Sequence, residues 1–207
     1  LSAGYQIDIS QNAYTIMDLL MGKASGLKFK SKLKNHYVLP GSKILDTRSF
    51  EIDVLKKRLP ALVRMIQNEI NLTFDYIIID CSPTDMKTRF DMAGKAQYKL
   101  NQIALVASDH VVVPLLADEF SKDGLKGLLD DILVLKKEHN PSLTIGGVFF
   151  NNVMINEKGF KNYYTELKAS IPERFFINTY VRKDVKIKDA LGLGLSIFQV
   201  APEKSGR

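Results

Sequence analysis

Apolar residues along this chain follow two rhythms, one of helical period and one of short unbroken runs. Residues 12–22 (NAYTIMDLLMG) carry Ile16, Met17, Leu19 and Leu20 on one stripe, with Asn12 or Thr15 near the start and a glycine at the end, which predicts a short helix. Residues 50–71 repeat the pattern through Phe50, Val54, Leu55, Leu59, Leu62, Val63, Met65, Ile66 and Ile70, with Pro60 expected to kink or split the helix. Phe74–Asp80 then runs apolar to an abrupt carboxylate, as a strand covered on both faces would. Residues 84–103 are polar with a weak helical period. Val111–Leu116 is a second buried run, and Ser121 caps a helix over 122–138 that buries Leu125, Leu128, Leu129, Ile132, Leu133 and Leu135. Asn140-Pro141 breaks that helix. A third run follows at Leu143–Val153, then an amphipathic helix over 157–170, a fourth strand at Phe175–Tyr180, and a short helix over 184–191 closed by Gly192 and Gly194.

From residue 74 onward strands alternate with helices. This is the grammar of an α/β fold with a parallel sheet and right-handed crossovers. At 207 residues the chain suits a single domain over 1–207, and 45% hydrophobic with 25% charged residues is ordinary for a globular protein. No run of 18 apolar residues is present, so no membrane span is expected. The start, Leu1-Ser2-Ala3-Gly4, has neither the basic region nor the apolar core of a signal peptide. The single cysteine, Cys81, excludes an internal disulfide and a cysteine-based metal site, and points to a reducing, cytoplasmic setting.

The net charge of +6 permits salt-sensitive attraction to a polyanion. Two places concentrate it. Lys23, Lys28, Lys30, Lys32 and Lys34 run without an intervening acid and read first as a solvated turn or hairpin before a short strand at Tyr37–Pro40. Arg182, Lys183, Lys186 and Lys188 cluster at a helix start. A solvated face and a phosphate-binding patch are the two readings of that cluster. His36, His110 and His139 are scattered without ligand spacing, and Cys81 beside a carboxylate gains no thiolate stabilisation. The carboxylate with most promise is Asp80, because open α/β sheets bind ligands beyond the carboxyl ends of their strands.

Four blocks, in order, carry a family resemblance: FDYIIIDCSPTD (74–85), ALVASDHVVVPLLADEFSKDGLKGLLDDI (104–132), LTIGGVFFNNV (143–153) and TYVRKDVKIKDALGLGLSIF (179–198). They resemble the ParA/MinD (Soj-like) family of deviant-Walker partition ATPases, the first block matching its Walker B segment. The resemblance implies a P-loop NTPase-like fold, a mostly parallel sheet flanked by helices. Leu1 aligns just past the family's Asp-Pro-Gln strand, so the first βαβ unit with its Walker A loop, roughly 30 residues or more, is expected to be absent. Neither Gly124-Leu125-Lys126-Gly127 nor Gly192-Leu193-Gly194 replaces that loop.

The same resemblance implies cofactors and roles. The cofactors would be ATP and Mg²⁺, with Asp80 holding a metal-bound water. Ser82, Pro83 and Thr84 would form the loop that senses the γ-phosphate, with one proline fewer than the family pattern. Asn151 would meet the adenine edge, an amide both donating and accepting, with Asn152 competing for the role. Val181 and Arg182 would wrap the base, although the family places proline where Arg182 stands. Asp118 and Glu119 would line the site without an assigned role. Arg182, Lys183, Lys186 and Lys188 would contact DNA without reading its sequence. No residue is assigned as catalytic.

The implied activity is ATP-dependent homodimerisation, non-specific DNA binding and partitioning of a plasmid or chromosome, stimulated by a ParB-like centromere-binding protein. The protein would be cytoplasmic and nucleoid-associated, with no membrane partner expected, since the amphipathic C-terminal helix of the membrane-binding branch is not visible in the sequence of residues 199–207, a short stretch with Pro202 and Gly206. The alternative is a non-catalytic remnant or interaction module, because these 207 residues contain no phosphate-binding loop. A flavodoxin-like or receiver-like domain is the third reading, on periodicity alone.

Overall fold

The computed structural model describes residues 15, 16, 18, 37–39, 41, 57, 60, 61, 64, 67, 68, 71, 73–82, 86–116 and 122–200. The lysine run 23–34, the loop residues Pro83 and Thr84, and Asp118, Glu119, Ser121 and His36 lie outside the described residues. The chain divides into two compact units, one formed by residues 1–80 with 184–207 and the other by Cys81–Lys183.

The second unit holds the sheet. Its elements, in order, are β1 (Arg89–Phe90), β2 (Ala96–Gln97), α1 (Leu100–Val106), β3 (His110–Leu115), α2 (Lys122–His139), β4 (Thr144–Val153), α3 (Lys158–Ser170), a 3₁₀ turn (Glu173–Phe175) and β5 (Phe176–Arg182). Strands β3, β4 and β5 form a parallel sheet in that order. Helices separate them in sequence, as the alternating pattern requires. The expected boundaries are met within one or two residues, except that β5 continues to Arg182.

The core lies between this sheet and its helices. Val113, Leu115, Val148, Phe150 and Val153 from the strands meet Leu125, Leu129 and Ile132 of α2 and Phe160 and Leu167 of α3. Phe150, with 1% of its surface exposed, stacks edge-on against Phe160 (5.5 Å between ring centres) and Tyr163 (5.9 Å). Two glycines let the strands fit. Gly146 sits where β4 gains a residue against Val111 and Val112 of β3. Gly147 has φ +135°, and a Cβ there would stand 2.7 Å from Ile177 Cγ1, so only glycine is accommodated without strain.

Polar side chains close the joints. Asn140, read from the sequence only as a helix breaker, is buried. Its Nδ2 donates to Leu105 O (3.1 Å) and Ser108 O (2.8 Å), and its Oδ1 accepts from Ser142 Oγ (2.7 Å). Buried Gln102 donates to Met86 O (2.7 Å) and accepts from the Lys99 N–H (2.8 Å), which caps α1.

Residues 84–103 depart from the weak helical pattern. The described residues of that stretch, 86–103, hold the β1–β2 hairpin and then the start of α1. Turn chemistry explains the departure. Asp91 Oδ1 accepts from the Ala93 N–H (2.9 Å) and the Lys95 N–H (2.8 Å), and Gly94 takes φ +75°.

In the first unit, Ile16 and Asp18 are helical, and Asp18 Oδ2 accepts from the Thr15 N–H and hydroxyl, both at 2.9 Å. Thr15 therefore opens that helix, one of the two expected starts. Lys57, Pro60, Ala61, Arg64, Gln67 and Asn68 have helical backbone, and Asn71 takes φ +51° just beyond, the left-handed geometry common after a helix end. Tyr37 meets Phe74 edge-on at 5.7 Å. Helix α4 (Val185–Leu193) starts on the Asp184 carboxylate, which accepts from the Lys186 N–H (2.9 Å), and ends on Gly194 at φ +66°. A short helix α5 (Ile197–Val200) follows.

The strand expected at Phe74–Asp80 is corrected. Among the described residues, 76–80 are in no strand, and Tyr76 and Ile78 are 89% and 90% exposed. An apolar run marks a segment able to be buried, but its backbone groups also need a neighbour to bond and its faces need cover.

Candidate functional site at the carboxyl edge of the sheet

Because β3, β4 and β5 are parallel, their carboxyl ends share one edge. At that edge the ladder slips. Phe150 pairs with Tyr180 and Val153 with Arg182, so Asn151 and Asn152 together oppose the single residue Val181. This is a bulge, and Asn152 takes φ +56° to make it. Asparagine tolerates that left-handed geometry better than most residues, which accounts for the polar pair in an otherwise apolar strand. The Lys183 N–H donates to Val153 O (2.9 Å), sealing the two strand ends beyond the bulge.

Three of the residues singled out in the sequence thus meet at one place. Asn151 is half-buried and extended, Val181 lies within the slipped stretch of the neighbouring strand and is exposed, and Arg182 is exposed opposite Val153. The strand ends carry an amide, an apolar side chain and a guanidinium, with Val181 and Arg182, consecutive in β5, on opposite faces; an amide that both donates and accepts can meet the edge of a flat heterocycle. Asn152 is exposed and turned by its φ, so the two candidate amides are distinguished by geometry. The bulge could not be read from the sequence, although two adjacent asparagines closing an apolar strand are a signal for it.

Asp80, in the other unit, is exposed and follows an apolar run that is in no strand. Thr84 lies outside the described residues. Of the basic cluster, Arg182 and Lys183 are exposed at the end of β5, while Lys186 and Lys188 are exposed on the first half of α4. Two residues apart on a helix, those lysines diverge instead of sharing a face. Asp184 stands among the four cations and serves as the cap of α4, a start signal that the sequence reading passed over. Among the described residues no cluster of three or more metal-binding side chains occurs. One exposed carboxylate is compatible with Mg²⁺, which retains most of its waters. No helix of the described residues is long and apolar enough to cross a membrane.

The fold is an α/β domain with a parallel sheet, of the P-loop NTPase type, and comparison with known proteins gives its family. The family model described as "AAA domain" (AAA_31) matches residues 1–145. The chromosome-partitioning ATPase Soj of Treponema pallidum is 28% identical over 93% of this chain and 71% of its own length. Among solved structures, apo McdA of Cyanothece superposes with a TM-score of 0.72 at 18% identity, covering 98% of this chain and 77% of that one. The septum site-determining protein MinD of Pyrococcus horikoshii, complexed with Mg-ADP, gives 0.58 at 18% identity, covering 100% and 73%. The chain belongs to this AAA-domain family, within its ParA/MinD group.

Proposed function

We propose that the chain is the nucleotide-binding part of a ParA-type partition ATPase, with ATP and Mg²⁺ as cofactors. The observation that carries this reading is the bulged edge, where Asn151 and, on the neighbouring strand, Val181 and Arg182 stand at the carboxyl end of a parallel sheet, the end that takes ligands. The name of the Treponema relative and the Mg-ADP of the Pyrococcus structure support it.

In this reading the Asn151 amide pairs with the adenine edge and Val181 covers its face. Asp80 would hold Mg²⁺, which keeps most of its waters. When bound, the metal would supply neutralisation of phosphate charge, and hydrolysis would rest on positioning. ATP-dependent pairing of two copies forms the active species, and Arg182, Lys183, Lys186 and Lys188 contact DNA phosphates. A ParB-like protein stimulates turnover, and the protein works in the cytoplasm on the nucleoid.

The test is ATP hydrolysis by the full-length protein. Asp80→Ala abolishes Mg²⁺-dependent turnover with an unchanged circular dichroism spectrum. Retained turnover refutes the metal role. Lys183→Glu with Lys186→Glu weakens DNA binding and flattens its salt dependence by about one unit of slope per lost phosphate contact. An unaltered slope returns the cluster to a solvated face.

A further inference from the structure

We infer, resting on the reading of Asn151 as the adenine contact, that Asn152 is the positioning residue of the base site. Its left-handed backbone, and not its amide, holds the Asn151 amide at the carboxyl edge of the sheet.

Burial along β4 shows what the bulge accomplishes. In a regular strand, side chains three residues apart point to opposite faces. Phe150 and Val153 are three apart, yet both belong to one core cluster, with 1% and 2% of their surface exposed. The extra residue between them resets the alternation. Phe150 is in the core, Asn151 follows half-buried, Asn152 is exposed, and Val153 returns to the core. The strand thus ends on an amide while keeping an apolar anchor on each side of it. Losing the bulge would force a choice between them, because a slip by one position moves a side chain to the other face.

Both ends of the bulge are pinned. On the near side the Phe150 ring packs against Phe160, Tyr163 and Tyr164. On the far side Val153 pairs with Arg182, and the Lys183 N–H donates to Val153 O (2.9 Å). Between these fixed points the φ of +56° at Asn152 directs Asn151. Asn71, the other non-glycine residue with positive φ among the described residues, stands just beyond a helix end, whereas Asn152 lies inside a strand. Among the described residues neither the Asn151 nor the Asn152 side chain makes a hydrogen bond within the chain. The Asn151 amide is therefore open to a ligand through both its N–H and its carbonyl. The Asn152 amide secures nothing, which leaves its backbone as the part that matters to the bulge.

A backbone role and an amide role rank substitutions differently. Glycine enters the left-handed region freely and asparagine at low cost, while alanine resists it and a β-branched residue resists it most. A backbone role at position 152 therefore accepts glycine and rejects valine. An amide role rejects both alike.

Calorimetric titration of the full-length protein with Mg-ADP, and with the Mg complex of its 6-deamino analogue purine riboside diphosphate, tests the inference. The analogue lacks the amino group from which an asparagine carbonyl accepts, so the wild type is expected to prefer ADP by about fivefold. Asn151→Ala erases that preference. Asn152→Gly keeps it within about twofold, Asn152→Ala lowers it, and Asn152→Val erases it. Hydrogen exchange of the Lys183 amide in the nucleotide-free protein reads the seal itself. It quickens in Asn152→Val and not in Asn152→Gly. Urea unfolding checks that each variant is folded, and Asn152→Ala carries the test if Asn152→Val is not. Full preference in the valine variant overturns the inference, and so does its loss in the glycine variant. A preference that depends on Asn151 but not on residue 152 leaves the adenine contact standing and overturns the positioning role alone. A wild type without preference, or one that Asn151→Ala leaves unchanged, refutes the adenine contact and the inference with it.

Discussion

Residues 76–79 and 111–115 are both unbroken apolar runs, Tyr-Ile-Ile-Ile and Val-Val-Val-Pro-Leu, yet they end in opposite environments. The second is β3, paired along its length with β4 and burying Val113 and Leu115. The first lies in no strand, and all four of its side chains are exposed. Apolar content is therefore not what separates them. β3 has a neighbour for its backbone and helices for its faces, and both come from residues within its own unit. The run before Asp80 is in no strand, and its side chains are not covered, among the described residues. A buried strand is a property of the whole sheet, whereas the letters specify only a segment able to join one.

Three substitutions measure the contrast, read by urea unfolding followed by tyrosine emission, since the sequence has no tryptophan. The largest effect is expected at the centre of the sheet. Phe150→Ala removes a buried ring that packs against Phe160, Tyr163 and Tyr164, and should cost about 3–5 kcal/mol. Gly147→Ala forces a Cβ toward Ile177 at a left-handed φ, for a loss of about 1–3 kcal/mol. Ile78→Ala should change stability by less than about 0.5 kcal/mol, as a surface substitution does. A cost at Ile78 rivalling that at Phe150 would mean that the run is buried in solution, and the contrast between the two segments would be gone.

Much of the sheet unit was legible in the sequence. The runs at 111–116 and 143–153, and the helices over 122–138 and 157–170, stand where their periodicity placed them. Periodicity worked there because each segment is covered on the face that its apolar residues define. It failed at 84–103, where one aspartate and one glycine set a turn that a weak helical count cannot reveal. For the site, the sequence named Asn151, Val181 and Arg182 through resemblance, and the fold adds the reason they adjoin. The bulge needs one residue at positive φ, a backbone property that no apolar pattern encodes. The basic cluster was legible as charge. The divergence of Lys186 and Lys188 and the capping role of Asp184 came only with the helix itself.

Asn140 joins three segments through one amide: the end of α1, the end of α2 and the turn into β4. Leu143 adds its N–H to Asn140 O (3.0 Å), and Thr144 donates to Asp109 O (2.8 Å) beside it. None of these three segments can fray alone without breaking a bond that holds another. Their amide protons therefore become accessible to solvent together, as one cooperative unit of local opening. The fourth residue of a sequence that looks like a simple helix stop (Lys-Glu-His-Asn) acts as the latch of that unit.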